Sequence, residues 1–336
     1  MIRKSREVVE QAIDKGVIGR FRKEIWAFDA GAPLHLVRKT SEAGPSKGPV
    51  VLVHGFAQNR YSWHTSTRSM ANGLAQYGWD VYNLELRGHG RSRVRGGPHA
   101  SQFSDYVEDL VRVAEHFEGR AFFVGHSLGG AACYGASTLG PMAGVVGIGA
   151  PFDFARHNTT LKAICRMTRW ARPLLWKGGQ IHTGAAGTFL ARNFKLADAL
   201  SHGLPVTGWQ PGSVEPDLFE ERVTKGFDWT AIEVWQEMAR WSKEGFPYRE
   251  AWKTSRTPVL VMVGDRDHLM PLGDARGAYD LSGAEDRTLH LFDDYLHEVH
   301  WGHLDLVLGE KAPRHTWTVL NAWMSERELD VGRDGG

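Results

Sequence analysis

The chain has 336 residues and a mass of 37.5 kDa. Its composition, with 42% hydrophobic and 24% charged residues, is typical of a folded globular protein and excludes a disordered chain. A formal net charge of +1 gives no reason to expect nucleic acid as a partner, and the two cysteines, Cys133 and Cys165, are too few for a disulfide framework. Because no run of about 18 apolar residues could span a bilayer and the N-terminus lacks the apolar stretch of a secretory signal, we expect a cytoplasmic protein without stable membrane insertion.

The N-terminal segment predicts one helix followed by a hairpin. Apolar residues recur at helical spacing within Val8–Val17, which predicts a helix resting on the core, with a peripheral membrane anchor as the alternative. Two strand-like runs follow, Phe21–Phe28 and Pro33–Arg38, and the turn residues 29–32 separate them. These two runs predict an antiparallel hairpin.

The chain then alternates between apolar runs, glycine-rich turns and helical patterns. The apolar runs predict strands buried on both faces at Pro49–Val53, Asp80–Leu86, Ala121–Val124, Val145–Ile148, Pro258–Val263 and Thr288–Phe292. Helical patterns occur at Thr67–Tyr77, Phe103–Phe117, Leu128–Leu139 and Asp305–Met324. This alternation predicts an α/β fold with a mostly parallel central sheet and helices on both faces.

The stretch 154–257 interrupts that alternation and predicts a helical cap inserted into the sheet domain. It has no buried-strand run, and seven of the thirteen tryptophans fall within it: Trp170, Trp176, Trp209, Trp229, Trp235, Trp241 and Trp252. Large aromatic side chains bury large areas, so most of these rings are expected to join cap and core. The predicted division is a core of 1–153 and 258–336 with a cap or lid of 154–257.

The strongest chemical signal is the sequence Gly125-His126-Ser127-Leu128-Gly129. It lies between a predicted strand and a predicted helix, which is the context of a nucleophile elbow. The two glycines allow neighbouring backbone to approach closely, and the N–H groups at the start of the helix point at a developing oxyanion. Ser127 is therefore the predicted nucleophile, with a phosphate-binding turn as the alternative.

A second motif, His54–Asn59, directly follows the first buried strand. The loop at this position of such a sheet supplies the second oxyanion donor, so the backbone N–H groups of Phe56 and Leu128 form the predicted oxyanion hole. Phe56, Trp63 and Leu128 are also predicted to line an acyl pocket. His54 is expected to hold the loop rather than to carry protons.

A third motif, Gly264–His268, lies at the end of a late strand, where active sites of open parallel sheets collect. It contains two carboxylates, Asp265 and Asp267. We predict that Asp267 orients the catalytic histidine, because a few residues of loop let it turn back, and that Asp265 caps the turn. A solvated acidic turn is the alternative.

Three histidines at intervals of three follow: His297, His300 and His303. This spacing raises the possibility of a metal site, but no matching carboxylate–histidine motif accompanies it, so no metal and no other cofactor is predicted. His303 is the predicted base, because it lies on a loop before a helix and completes the chain order serine, aspartate, histidine. His300 is the reserve candidate, and His297 is expected at the surface.

Together these motifs resemble the α/β-hydrolase superfamily, and in particular its bacterial lipases, esterases and lysophospholipase-like hydrolases. The matching stretches are His54–Asn59, Leu84–Ser92, Gly125–Gly130, Gly264–Asp267 and Gly302–Asp305. There is also a distant similarity to polyhydroxyalkanoate synthases and depolymerases. The synthases carry cysteine at the nucleophile, and haloalkane dehalogenases and epoxide hydrolases carry aspartate, so Ser127 favours hydrolysis of esters.

The resemblance implies an α/β-hydrolase fold and a serine hydrolase acting through an acyl-enzyme. The tryptophan-rich cap favours carboxylic esters with an apolar acyl or alcohol part, so the expected partner is a small ester or lipid-like molecule. Alternatives are an acyltransferase, a polyester- or thioester-acting enzyme, a carbon–carbon hydrolase, and a receptor without catalysis.

Overall fold

The computed structural model of the protein describes residues 1–42, 44–171, 179–201 and 208–331. Trp176, one of the tryptophans of the predicted cap, lies outside the described residues. Within them no helix is both long and apolar enough to cross a bilayer.

The strands in the described residues are eleven. They are β1 (Ile2–Asp14), β2 (Val17–Asp29), β3 (Pro33–Ser41), β4 (Pro49–Val53), β5 (Asp80–Glu85), β6 (Phe122–His126), β7 (Gly144–Ile148), β8 (Gln180–His182), β9 (Trp229–Ala231), β10 (Val259–Gly264) and β11 (Arg287–Phe292).

The helices described are fifteen, with a short 3₁₀ helix at Arg60–Ser62. They are α1 (Met70–Gln76), α2 (Gly90–Val94), α3 (Ser104–His116), α4 (Leu128–Ser137), α5 (Thr159–Ala171), α6 (Gly184–Arg192), α7 (Phe194–Leu200), α8 (Pro216–Gly226), α9 (Ile232–Glu244), α10 (Arg249–Trp252), α11 (Leu272–Ala275), α12 (Gly277–Asp280), α13 (Asp294–His297), α14 (Asp305–Leu308) and α15 (Thr316–Val331).

Nine strands form one sheet in the order β1-β2-β3-β5-β4-β6-β7-β10-β11. The six strands from β5 to β11 in that order pair in parallel, and β1, β2 and β3 extend the sheet in antiparallel fashion. All the strands predicted from apolar runs are present, and the predicted hairpin is formed by β2 and β3. The prediction of a mostly parallel sheet is confirmed.

Side chains of the central strands alternate between two apolar cores, one on each face of the sheet. Along β4, Val51 and Val53 enter the core that includes α3 and α4, whereas Val50 and Leu52 enter the core that includes α1 and α15. A strand buried on both faces has no polar side to display, which explains the continuous apolar runs in the sequence.

The prediction of a helix at 8–17 is wrong. These residues lie in β1 and at the start of β2, which form a hairpin closed by Lys15 and by Gly16, whose φ is 77°. A positive φ is accessible to glycine at little cost, so the turn is set locally. The apolar residues of this segment are β-branched, which favours a strand over a helix.

The C-terminal segment also differs from its prediction. A single helix was expected over Asp305–Met324, but α14 ends at Leu308 and α15 begins at Thr316. Gly309 leaves the helical conformation with ψ 156°, and Pro313 follows it, so the break has a local cause.

Between β7 and β10 the described residues contribute no strand to the large sheet. They form α5 to α10 and a two-stranded antiparallel sheet of β8 and β9 that the sequence did not reveal. Several tryptophans are buried here: Trp209, Trp241 and Trp252, whereas Trp170 is 82% exposed. The boundaries 154 and 257 of the cap stay a prediction.

Candidate active site

The chain turns sharply between β6 and α4, and Ser127 occupies the turn. Its φ of 54° and ψ of −127° are strained for a residue with a side chain, as a nucleophile elbow requires. A Cβ atom on Gly125 would collide with the backbone of Gly129 and Gly130, and one on Gly129 would collide with the carbonyl of Val53. Glycine at both positions therefore lets the turn form against β4.

Asp267 and His303 form a buried pair at the ends of two loops. Nδ1 of His303 lies 2.7 Å from Oδ2 of Asp267, and the two side chains are 4% and 0% exposed. The other carboxylate oxygen of Asp267 accepts the backbone N–H of Met270 at 2.7 Å. Because a carboxylate only accepts, Nδ1 of His303 is the donor in this contact, and the acceptor position of a neutral ring is Nε2.

Gly149 marks the place where the elbow and this pair meet. The N–H of Ser127 donates to the carbonyl of Ile148 at 2.9 Å, and the next residue is Gly149. A Cβ atom on Gly149 would stand 2.8 Å from Nδ1 of His303 and 3.0 Å from Oδ2 of Asp267. The structure thus brings Ser127, Asp267 and His303 to one end of the sheet.

His126, the residue before Ser127, contacts His303 and helps to hold the loop that carries it. Its ring lies 4.4 Å from that of His303, centre to centre, and its Nε2 donates to the carbonyl of His303 at 3.1 Å. Complete burial holds the pKa of His126 well below its usual range, so the ring is neutral. A neutral His126 fixes the histidine loop without placing a charge beside it.

The two predicted oxyanion donors come from two loops, the elbow itself and the turn after β4. Leu128 is the first residue of α4, where a backbone N–H has no acceptor within the helix. Phe56 lies in the turn after β4, and the next residue, Ala57, has a φ of 51°. The role of both N–H groups stays a prediction.

The residues predicted to line an acyl pocket occupy different environments. The half-buried ring of Phe56 lies 5.9 Å from that of Trp235 in α9, and Leu128 is buried beside the elbow. Trp63 is fully buried, with its ring 6.2 Å from that of His126. Trp63 has no exposed surface that a substrate could touch in this conformation, so its place in the acyl pocket stays a prediction.

His54 has the supporting role expected of it. Its Nδ1 lies 3.0 Å from the carbonyl of Gly55, and its Nε2 accepts the N–H of Leu86 at 3.1 Å. Burial lowers the pKa of His54 to about 3, so it stays neutral and joins the loop after β4 to the loop after β5.

The histidines at intervals of three do not share one site. Nδ1 of His300 lies 2.6 Å from Oδ2 of Asp265, which also accepts the N–H of Trp301 through its other oxygen. His297 was expected at the surface, and this is wrong: it is 8% exposed, and its Nε2 lies 3.1 Å from that of His290. The short helix α13 turns this ring inward against β11.

Among the described residues, one group of ionisable side chains has ligand atoms close enough for a metal ion. It consists of Asp265, Asp294 and His300, whose candidate atoms all lie within 4.8 Å of one another. Asp294 is exposed, and His300 already contacts Asp265. Exposed acidic groups of this kind are common at surfaces, so the group carries no argument for a metal centre.

Asp305, two residues after His303, was not singled out in the sequence. Its Oδ2 accepts the N–H groups of Gly302 at 2.6 Å and Gln210 at 2.9 Å, and its Oδ1 accepts the hydroxyl of Ser213 at 2.6 Å. Burial raises the pKa of Asp305 to about 7. Through these hydrogen bonds Asp305 joins the histidine loop to the loop before α8, a role that the matching stretch Gly302–Asp305 did not indicate.

Comparison with known proteins places the chain in a family. The family model for the alpha/beta hydrolase fold matches residues 48–304. A monoacylglycerol lipase from Mycolicibacterium smegmatis is 30% identical over 264 residues, which cover 75% of this chain and 82% of that protein. Epoxide hydrolase B from Mycobacterium tuberculosis is 36% identical over 127 residues, which cover 36% of this chain and 34% of the relative.

Solved structures agree on the fold. The crystal structure of the monoacylglycerol lipase from Paleococcus ferrophilus has a TM-score of 0.60 at 18% identity, and the match covers 87% of this chain and 99% of that one. An identity this low speaks only to the fold, whereas the family model covers most of the sequence. As its motifs predicted, the chain belongs to the α/β-hydrolase fold family.

Proposed function

We propose that this protein hydrolyses carboxylic esters of lipid-like molecules, with Ser127 as nucleophile, His303 as general base and Asp267 as the group that orients His303. The observation that carries the proposal is the buried contact of 2.7 Å between Asp267 and His303, beside a serine with strained backbone at the start of α4. A pair of this kind next to an elbow serine is the arrangement used for acyl transfer.

In the proposed cycle, Asp267 accepts a hydrogen bond from Nδ1–H of His303, which keeps that proton, and Nε2 removes the hydroxyl proton of Ser127. The serine oxygen attacks the ester carbonyl, and the N–H groups of Phe56 and Leu128 hold the resulting oxyanion. Collapse of this intermediate breaks the bond to the alcohol, which receives the proton from Nε2. Water then attacks the acyl-enzyme by the same route and releases the acid and Ser127.

The lipid-like nature of the substrate is supported by the aromatic surroundings of the site. The ring of Trp235 lies between Phe56, at 5.9 Å, and Phe154, at 6.3 Å, and so places an apolar surface beside one oxyanion donor. The relative from M. smegmatis, 30% identical to this chain, is named as a monoacylglycerol lipase. Monoesters with an apolar part, such as monoacylglycerols, are therefore the proposed substrates.

Ser127 sets this proposal apart from the chemistry of the partial relative named as an epoxide hydrolase. Those enzymes carry aspartate at the nucleophile, and a serine there forms an acyl-enzyme instead. Transfer of the acyl group to an alcohol remains the nearest alternative, because it uses the same intermediate. Adding a primary alcohol to the assay and measuring the new ester against the free acid separates the two reactions.

The test is the initial rate on p-nitrophenyl esters of increasing chain length and on a monoacylglycerol. The variant Ser127→Ala is expected to lose activity by at least about 10³-fold while it stays folded, because the hydroxyl is the reacting group. Ser5→Ala, an exposed serine on β1, is the control and is expected to keep full activity. Equal turnover by wild type and Ser127→Ala would overturn the proposal.

A further inference from the structure

Arg222 in α8 is a buried cation for which the described residues supply no anionic partner. The residue is 3% exposed, and no carboxylate of the described chain pairs with it. Its Nη2 donates to Oε1 of Gln58 at 2.8 Å and lies 3.3 Å from Oγ of Ser62, whereas its Nη1 has no hydrogen-bond partner among the described residues. An unpaired charge inside a protein lowers stability, so its presence calls for a reason outside folding.

The residue that Arg222 holds lies beside the candidate nucleophile. Oε1 of Gln58 lies 3.2 Å from the point where a Cβ atom of Gly55 would stand, and Cβ of Ser127 lies 3.1 Å from the same point. Ser62 also donates to this oxygen, at 2.9 Å. With two donors on Oε1, the amide of Gln58 has one orientation.

Gln58 belongs to the loop that carries Phe56, and the backbone at the end of α8 and just after it also holds this loop. The N–H of Asn59 donates to the carbonyl of Gly226 at 3.1 Å, and the N–H of Asp228 donates to the carbonyl of Ala57 at 2.8 Å. The positive φ of Ala57 is a strained conformation that persists only where its surroundings enforce it. Side chains add to that support: Oγ1 of Thr183 donates to the carbonyl of Ala57 at 3.1 Å, and Arg222 holds Gln58.

We propose that Arg222 is a positioning residue that, through Gln58, keeps the loop after β4 in the conformation that aims the N–H of Phe56 at the substrate oxygen. The inference rests on the proposed ester hydrolysis and deepens it. Arg222 contacts no reacting atom; it acts by fixing a donor whose misplacement by a fraction of an ångström weakens stabilisation of the oxyanion.

The experiment measures kcat and KM on a p-nitrophenyl ester for Arg222→Met, Gln58→Met and the double variant. Each single variant is expected to lose about 10- to 100-fold in kcat with KM changed less than about threefold, because the affected donor acts mainly in the transition state. The double variant is expected to match the single ones, because both remove the same contact. Arg222→Lys, which keeps a donor and the charge, is expected to recover part of kcat.

Lys225→Met provides the matched control. This cation lies on the same helix, its side chain is 56% exposed and it pairs with Glu221 at 3.0 Å, so wild-type kinetics are expected. Thermal unfolding supplies the second readout. Arg222→Met is expected to keep or raise the melting temperature while kcat falls, because methionine removes an unpaired buried charge.

Two results would overturn the positioning role: wild-type kcat in Arg222→Met, or losses in the two single variants that multiply in the double variant. If Arg222→Met does not fold, the kcat of Gln58→Met decides: a value equal to that of wild type would overturn the positioning role. Failure of the proposed function gives a different pattern, in which wild type and Ser127→Ala are equally inactive, and the positioning role then falls with it.

Discussion

Two aspartate–histidine pairs join the same two loops of this protein, yet their surroundings differ. The side chains of Asp265 and His300 are 18% and 40% exposed, whereas those of Asp267 and His303 are 0% and 4% exposed. The contact distances, 2.6 and 2.7 Å, are nearly equal. Burial therefore distinguishes the two pairs where distance does not, because an electrostatic interaction is stronger away from water, and the buried pair is the one that lies near Ser127.

The largest effect is expected from a substitution that removes the histidine of the buried pair and leaves the exposed pair intact. His303→Gln is expected to lower kcat/KM for ester hydrolysis by at least about 10³-fold, because glutamine cannot take the serine proton. His300→Gln is expected to stay within about threefold of wild type, because it removes a half-exposed ring outside the elbow. Steady-state kinetics of the two variants decide between the pairs, and a larger loss in His300→Gln would make His300 the base.

A smaller effect is expected from crowding the buried pair without changing its residues. In Gly149→Ala the new methyl group would press on Nδ1 of His303 and Oδ2 of Asp267, at a position whose φ is 53°. We expect kcat to fall about 10- to 100-fold and stability by about 1–3 kcal/mol. Gly44→Ala, where nothing lies within 4 Å of the new Cβ atom, is the control. Unchanged kcat in Gly149→Ala would show that the pair has room to move.

The smallest effect concerns the pH dependence of stability through Asp305. Burial raises the pKa of this carboxyl to about 7, above the value of about 3.9 expected in the unfolded chain. The folded state therefore binds the proton more tightly, and the stability contributed by Asp305 is complete below about pH 4 and is lost as pH rises through about 7.

Asp305→Asn cannot ionise and keeps an oxygen acceptor for the N–H groups of Gly302 and Gln210. Between pH 5 and pH 8 wild type is expected to lose about 2 kcal/mol of unfolding free energy that the variant retains. Urea unfolding at the two pH values measures this, with Asp217→Asn at an exposed position as the control. Parallel pH dependences in wild type and Asp305→Asn would contradict the prediction.

The parallel part of the fold could be predicted because its strands are buried on both faces and therefore read as continuous apolar runs. Ser127 and Asp267 followed from motifs at strand ends, and His303 followed from its place on a loop before a helix and from the order of the three residues in the chain. The structure brings all three to one end of the sheet. The apolar runs and the strand-end motifs are local in sequence, since each depends on one strand and the turn after it.

Two of the incorrect predictions, the helix at 8–17 and the exposed His297, concern segments whose state depends on contacts with another element. β1 is mostly exposed, so its few apolar residues fitted a helix as well as a strand, and only pairing with β2 decides. His297 is buried through contact with β11, and Asp305 and Arg222 acquire their roles from loops far along the chain. No spacing rule within one sequence records such contacts.

The antiparallel hairpin leaves β1 as the outer strand of the large sheet, with its backbone hydrogen-bonding groups open on one side. Such a strand is a template onto which another chain can add. Here residues 2–8 are all exposed, and Arg3, Lys4, Arg6 and Glu7 put charge on both faces of the strand. A second molecule that paired with β1 would have to desolvate these charges, which costs free energy. The charged side chains of the edge strand therefore disfavour fibril-like addition of further chains.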